Sequence, residues 1–436
     1  MPLRIIKVRL RIVTPLFMGG ANQEAPEWRP PSIKGLLRYW YRACHYAEKG
    51  QSPGEARIFG GTGEGEGQGL FLLHSVRPPA RQVPGTDVEK LFGRSGHPLS
   101  YLGYGIIQRN KSARGQGSGE RNVTARGALL GDAELVLRFK PASADADIEA
   151  VLGSLWLLCH VGGMGSRSRR GLGSVTWLDS EMVQAGADGL QDAPEVREQG
   201  VGPNQGGATS GPAAPEPWEW PRQAANVEQL EQDIRSVLAR LCPQPPGQGT
   251  VYTAFCKGTR ILIGSPASTW ETALQAVGQA LQNHRTYRHQ PPGYPEDHDL
   301  VHTFAHTGRA AAAPRRTVFG LPHNYFFSRD KMSVSVDPVG GNGNVNRRAS
   351  PLFIHIEQLA GPPESYVPVV TFIPARFSPK GVQIRLESRD PSGGRHLSHS
   401  ATVPAPAAPD EPGGYGPIHA FLDQFKRATH AREVTL

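Results

Sequence analysis

Cysteine is scarce in this 436-residue chain. Its thiols, Cys44, Cys159, Cys242 and Cys256, are scattered and form no C-x-x-C pair. That excludes a disulfide framework and a cysteine-based zinc site. Uninterrupted apolar runs of 18 residues are also missing, which argues against a membrane span. Basic and apolar residues alternate from Met1 to Val13, without the apolar block of a secretory signal. The resulting expectation is a soluble protein in a reducing, cytoplasmic setting. The phosphate loop G-x-x-x-x-G-K-[S/T] is absent too, which disfavours mononucleotide binding.

What the chain does have is positive charge, 47 Lys+Arg against 39 Asp+Glu, for a formal net charge of +8. Arginine far outnumbers lysine, and its planar fork suits phosphate recognition and stacking on bases. The charge is most concentrated in Gly162-Gly163-Met164-Gly165-Ser166-Arg167-Ser168-Arg169-Arg170-Gly171-Leu172-Gly173-Ser174, which holds no acidic residue. Apolar residues recur at helical spacing just before it (Ile148, Val151, Leu152, Leu155, Leu158, Cys159), and a strand-like run, Val175–Leu178, follows. The segment is therefore a loop between a buried helix and a strand. Glycines let its backbone approach a ligand, exposed amides form a concavity for anions, and arginine forks match phosphate oxygens. Position 168 is serine, so G-x-G-x-x-G fails as well. A phosphodiester backbone is the ligand this composition points to.

From the N-terminus, Leu3–Val13 alternates strictly, with Ile6, Val8, Leu10 and Ile12 on one face and Lys7, Arg9 and Arg11 on the other. A helix follows, with Ser32 placed to cap it and Ile33, Leu36, Leu37, Trp40, Cys44 and Ala47 as its apolar stripe. Lys34, Arg38 and Arg42 form a basic row on another face, with no acid between Arg29 and Arg42 to pair with it. A strand at 69–76, an insertion over 77–131 with a basic tract at 111–126, a strand at 133–140, the buried helix and the strand at 175–178 complete the order. That order is the split βαβ, ferredoxin-like pattern, without the adjacent aromatics of an RNA-recognition motif.

The expected class is α+β, with two tandem ferredoxin-like domains bearing long insertions. The first spans 1–180, a Gly/Pro-rich linker spans 181–222, and the second spans 223–436 with a C-terminal helix at 418–428. In that second half a helix at 225–241 and strands at 251–263, 352–356, 367–373 and 382–386 are expected. His284, His289, His298, His302 and His306 match no metal-ligand spacing and read as structural or solvent-exposed; no metal or cofactor is expected.

Several blocks together resemble a known family. Thr14-Pro15-Leu16, the run Arg29-Pro30-Pro31-Ser32-Ile33-Lys34-Gly35-Leu36-Leu37-Arg38 followed by three aromatics and Arg42, Ile58-Phe59-Gly60-Gly61, and the glycine segment are similar to the RAMP signature. Phe319-Gly320-Leu321-Pro322 and Arg347-Arg348-Ala349-Ser350-Pro351-Leu352 resemble later blocks of the first-numbered RAMP subunits of type III-B (Cmr) CRISPR effector complexes. Tyr39-Trp40-Tyr41 departs from the paired tryptophans frequent there. The resemblance implies a non-catalytic RNA-binding subunit of an RNA-guided, RNA-targeting antiviral ribonucleoprotein. It would sit near the guide 3′ end and the target 5′ end, with guide RNA, target RNA and other RAMP subunits as partners. The residues carried over for RNA contact are Lys34, Arg38 and Arg42; then Gly163, Gly165, Ser166, Arg167, Arg169, Arg170 and Gly171; then Arg347 and Arg348. The alternative is a RAMP endoribonuclease that processes precursor guide RNA, with His45 or His160 as its acid or base.

Overall fold

The computed structural model describes the chain outside residues 1–2, 23–24, 49–51, 95, 110–122, 185–215, 217, 286–294, 341–344, 379–380, 390–397 and 406–413. The first half runs β1 (Arg4–Leu16), α1 (Pro30–Cys44), α2 (Glu55–Phe59), β2 (Phe71–Arg77), β3 (Arg81–Val83), α3 (Gly85–Phe92), α4 (Pro98–Leu102), β4 (Ile107–Arg109), β5 (Val123–Ala125), β6 (Ala128–Phe139), α5 (Asp145–His160) and β7 (Val175–Gln184). β2, β6, β1 and β7 make an antiparallel sheet in that order, with β3 also on β6. With α1 after β1 and α5 after β6, this is a ferredoxin-like βαββαβ unit.

The second half runs α6 (Val227–Leu241), β8 (Arg260–Ile263), α7 (Trp270–Arg285), α8 (Pro295–Thr307), β9 (His323–Phe327), β10 (Met332–Gly340), β11 (Leu352–Leu359), β12 (Ser365–Phe372), β13 (Val382–Arg389), β14 (Ser400–Pro404), α9 (Gly416–Thr429) and β15 (Arg432–Thr435). Its main sheet has the order β11-β12-β8-β15. With α7 after β8 and α9 after β12, it repeats the arrangement of the first unit. β14, β13, β10 and β9 form a separate sheet inserted into this unit. The fold is therefore α+β with two ferredoxin-like units.

The alternation in β1 does what its period dictates. Ile6, Val8 and Leu10 are fully buried. On the opposite face Arg9 meets Asp179 and Arg11 meets Asp132 across the strand pairs, and Lys7 lies 3.7 Å from Glu181. These cations are answered within the sheet. α5 is buried on nearly all sides because α1, β7 and α6 surround it.

β11 joins the halves. It is an edge strand, yet each of its eight residues is buried. Its unpaired edge would expose amides; Ile356 N donates to Ser174 Oγ (3.0 Å) and Gln358 N to Thr176 Oγ1 (3.2 Å) instead. Thr176→Val keeps the volume and removes the acceptor. It is expected to destabilise the fold by about 1–3 kcal/mol, the cost of a buried donor left unmade, read from urea denaturation. Ser174→Ala should cost at least as much, since Ser174 Oγ also donates to Gly171 O (3.2 Å).

Several boundaries differ from the sequence expectation. Arg29, not Ser32, is the N-cap of α1, because Pro30 supplies a first helical residue that needs no amide partner. Only Arg260–Ile263 of the 251–263 stretch is a strand. β7 runs on through Gln184, past the expected linker start, because β1 is long enough to pair with it to that point. Most of the expected linker and of the basic tract at 111–126 lie outside the described residues, as does His289.

Candidate nucleic-acid interface

The glycine segment is a folded scaffold. Met164 N donates to Gly173 O (2.8 Å), Gly173 N to Pro15 O (3.0 Å) and Ser166 N to Phe17 O (2.8 Å). Thr14 Oγ1 donates to Gly171 O (2.8 Å) and accepts from Ser174 N (2.9 Å). The Thr-Pro-Leu run at the end of β1 and the glycine segment are therefore two sides of one knot. Gly165 and Gly173 have positive φ, and a Cβ on either would meet backbone, 2.6 Å from Phe17 O and 2.0 Å from Met164 O. The expected amide concavity is thus largely spent on internal bonds. Gly162, Gly163, Met164 and Gly171 through Ser174 are buried, while Ser166 and Arg167 stay exposed beside a polar cleft of about 190 Å³ that Phe17 and Arg126 also line.

The three arginines of the segment do different things. Arg169 reaches across to the second unit, donating to Ser350 O and to Tyr39 Oη (3.2 Å) with its guanidinium 4.3 Å from the Phe353 ring centre. It rivets the units together. Arg167 sits at φ 62° with its side chain beside Gly105. Burial lowers its pKa, and the charge of the exposed Arg347 lowers it further, while Tyr104, 74% exposed, acts in the opposite direction. Arg170 points inward. Burial, then Arg285, draws its guanidinium down to about 10, with Tyr101 as a hydrogen-bonding partner.

Around Arg170 the second unit supplies more positive charge. Arg285, at the end of α7, donates to His323 Nε2 (3.0 Å) and lies 5.0 Å from the Phe319 ring centre; its buried Nε has no partner among the described residues. Arg316 donates to Arg285 O (2.6 Å) and pairs with Asp297 at 3.3 Å. His323 is held well below its ordinary pKa by burial and by Arg285, Arg316 and Arg170. Asp297 answers Arg316, whereas Arg170 and His323 feel mainly other arginines. A buried charge is costly unless a counter-charge meets it, and here the guanidinium groups outnumber the one carboxylate named, Asp297.

The basic row on α1 is tied down. Arg42 makes a two-pronged pair with Glu55 (2.7 and 2.5 Å), and Arg38 Nε lies 3.2 Å from the same carboxylate, whose side chain is 4% exposed. The counter-charge absent between Arg29 and Arg42 arrives from α2. Lys34 lies 4.7 Å from the Phe71 ring centre, its pKa lowered by burial and then by Arg38 and Lys140. Arg348 donates to Arg376 O. Arg316 stands in a basic tract of the sequence with Arg309 and Arg315, but sequence reasoning did not assign it to the site and missed Glu55, Arg285, His323 and Tyr104.

Buried where the units meet is an ionic cluster. His160 Nδ1 lies 2.9 Å and His355 Nε2 3.1 Å from Glu357 Oε2, and all three side chains are at most 1% exposed.

Among the described residues no helix is long and apolar enough to cross a membrane. Residues 9–176 match the RAMP superfamily. The chain is similar to the Cmr subunit Cmr1-2 of Pyrococcus furiosus, 24% identical over 38% of this chain and 91% of the relative. Cmr1-1 of the same organism is 29% identical over 39% of this chain and 45% of the relative. Crystalline apo Cmr1 from Pyrococcus furiosus overlaps 98% of each chain, at 15% identity and TM-score 0.49. A chain of a type III-B Cmr-beta complex bound to cognate target RNA overlaps 98% of this chain and 99% of its own length, at 10% identity and TM-score 0.46. Residues 9–176 are thus similar to the RAMP superfamily, and the relatives that the chain resembles are named Cmr1 subunits.

Proposed function

We propose that this protein is an RNA-binding, non-catalytic subunit of a type III-B (Cmr) RNA-guided complex, with guide RNA, target RNA and other RAMP subunits as its partners, at the guide 3′ end and target 5′ end. The observation that carries the reading is the convergence of Arg167 and Arg170 with Arg285, Arg316 and His323, beside the exposed ring of Tyr104. Guanidinium groups would take phosphates, and the tyrosine offers a stacking face for a base. Arg347 extends the same cationic surface, while Gly163, Gly165, Ser166 and Gly171 shape the segment that presents it. Lys34, Arg38, Arg42, Arg169 and Arg348, tied as they are to protein groups, would contribute through what remains of their exposed edges. In this reading residues 1–180 and 223–436 act as two domains, joined by 181–222; among the described residues no strand pair links the two main sheets.

Support for a non-catalytic role comes from the histidines. His160 is buried with its Nδ1 2.9 Å from Glu357 Oε2, so it cannot reach a ribose hydroxyl. His45 stacks on Tyr41 at 4.1 Å with its Nδ1 3.0 Å from Tyr41 O. The run Gly50-Gln51-Ser52-Pro53-Gly54 has the spacing of a nucleophile elbow, but Ser52 is buried with its hydroxyl 3.3 Å from that of Tyr252. The test incubates the protein with labelled single-stranded repeat RNA without metal. Retention of intact RNA is expected; site-specific cleavage abolished by His45→Ala would establish the nuclease instead. Position in the particle is read by cross-linking from residue 104 in the assembled complex, with adducts expected at the guide 3′ end or target 5′ end.

A further inference from the structure

We propose that His302, His306 and Asp330 form a site for a divalent transition metal of the zinc class, clipping α8 to the β9–β10 hairpin. The two histidines are four residues apart on α8, so their rings project from one face of the helix. Asp330 lies in the turn between β9 and β10, 24 residues beyond His306 in the chain, and only the fold brings it there. His302 Nε2 is 2.6 Å and His306 Nε2 3.5 Å from the same oxygen, Asp330 Oδ2. The three donor atoms lie within 4.8 Å of one another. A tetrahedral ion with ligands at about 2.0–2.2 Å holds them about 3.3–3.6 Å apart, so a modest shift of His302 completes the set.

The supporting groups hold the rings for this task. His302 lies between His298, parallel at 5.9 Å, and the edge of Phe327 at 5.0 Å, and His306 meets His302 at 4.6 Å between ring centres. Two imidazoles from successive helical turns aim the same nitrogen, Nε2, at one carboxylate oxygen. Two imidazoles and a carboxylate suit zinc, cobalt(II) or nickel(II), whereas magnesium and calcium prefer all-oxygen ligands. The trio is partly exposed, which leaves the remaining coordination positions to water. Spacing along the chain does not mark these histidines as ligands, because no second ligand pair lies near them in the sequence. The missing ligand is a hairpin aspartate. The clip would join elements that also serve the arginine cluster, since α8 carries Asp297 and β9 carries His323.

The test titrates zinc chloride into full-length protein freed of metal by chelator, with cobalt(II) chloride as the spectroscopic probe. One equivalent should bind, the cobalt form should show the d–d absorption of a low-symmetry nitrogen/oxygen site, and the melting temperature should rise with zinc. His302→Ala and His306→Ala should each weaken binding at least about tenfold, a loss that is read directly as a change in Kd. Asp330→Asn should weaken it less, and His298→Ala should leave the stoichiometry at one. Circular dichroism of the metal-free variants controls for folding. Zinc binding unchanged in the His302→Ala/His306→Ala double variant would overturn the proposal, as would the absence of binding by the wild-type protein at 100-fold excess of zinc. Loss of RNA binding in the arginine variants described below leaves this outcome untouched, because the two readouts share no residue.

Discussion

Glu357→Ala is expected to destabilise the protein by about 3–5 kcal/mol, the range for removing one member of a buried ion pair. The carboxylate lies where the two units meet and accepts from His160 of α5 and His355 of β11. His355 Nδ1 also lies 3.0 Å from Gly162 O, so the ring ties the carboxylate to the start of the glycine segment. Glu357→Gln keeps part of the hydrogen bonding and should cost less. Burial by itself would raise the Glu357 pKa, but the charges and hydrogen bonds of His160 and His355 outweigh it and hold the carboxyl below its ordinary value. A depressed carboxylate contributes stability that is fully present above its unfolded value, about pH 4.3, and that is lost as pH falls through the folded one. Wild-type stability should therefore fall more steeply on the acid side than that of Glu357→Gln. Urea denaturation at pH 7 and at steps down to pH 3 checks both the magnitude and the slope. Equal acid-side slopes for the two proteins would remove Glu357 from the account.

Much of the first unit is legible in the sequence because its signals are local. The alternation in β1, the apolar stripe of α1, the all-apolar run of α5 and the glycines after it fix a strand, two helices and a loop by period and composition alone. The second unit was harder for a physical reason. Its ferredoxin-like order is broken by the β9-β10-β13-β14 sheet, whose strands interrupt the pattern twice. β10 carries Pro338, which argues against a central strand; it is accommodated because β9 pairs only with Met332–Val336 and leaves Pro338 paired to β13 on one side. β15 is only four residues long and joins through β8 alone.

The candidate site divides along the same line. That Arg167, Arg169 and Arg170 belong together was visible in thirteen residues, but their division of labour was not. Arg169 is turned to protein by Ser350 and Phe353, and Arg170 toward Arg285, more than a hundred residues away. Likewise, α1 reads as an unpaired basic face until α2 brings Glu55 against it. Charge can be counted in a sequence; its compensation is tertiary.

Replacing Arg170 and Arg285 should move stability and RNA affinity in opposite directions. In the free protein these guanidinium groups are packed against like charges, and Arg285 has a buried Nε without a partner among the described residues. Arg170→Met together with Arg285→Met relieves that repulsion and keeps apolar volume beside Tyr101 and Phe319. The variant should therefore be as stable as the wild type or more so, as other buried charges replaced by well-packed apolar groups have proved. RNA affinity should fall about 100-fold or more at moderate salt, since each charge-assisted hydrogen bond is worth about 1.5–3 kcal/mol. Adding Arg167→Gln should bring the loss in the log–log salt slope to about 2, at roughly 0.7 per single-strand phosphate contact. Filter binding of single-stranded RNA from 50 to 300 mM salt, alongside thermal unfolding, reads both quantities on one preparation. Lost affinity with lost stability would mean that the arginines hold the two units together and that the anion site lies elsewhere. Lost affinity with a gain in stability is the signature of charge kept unpaired for a ligand, and a purely structural cluster has no means of producing it.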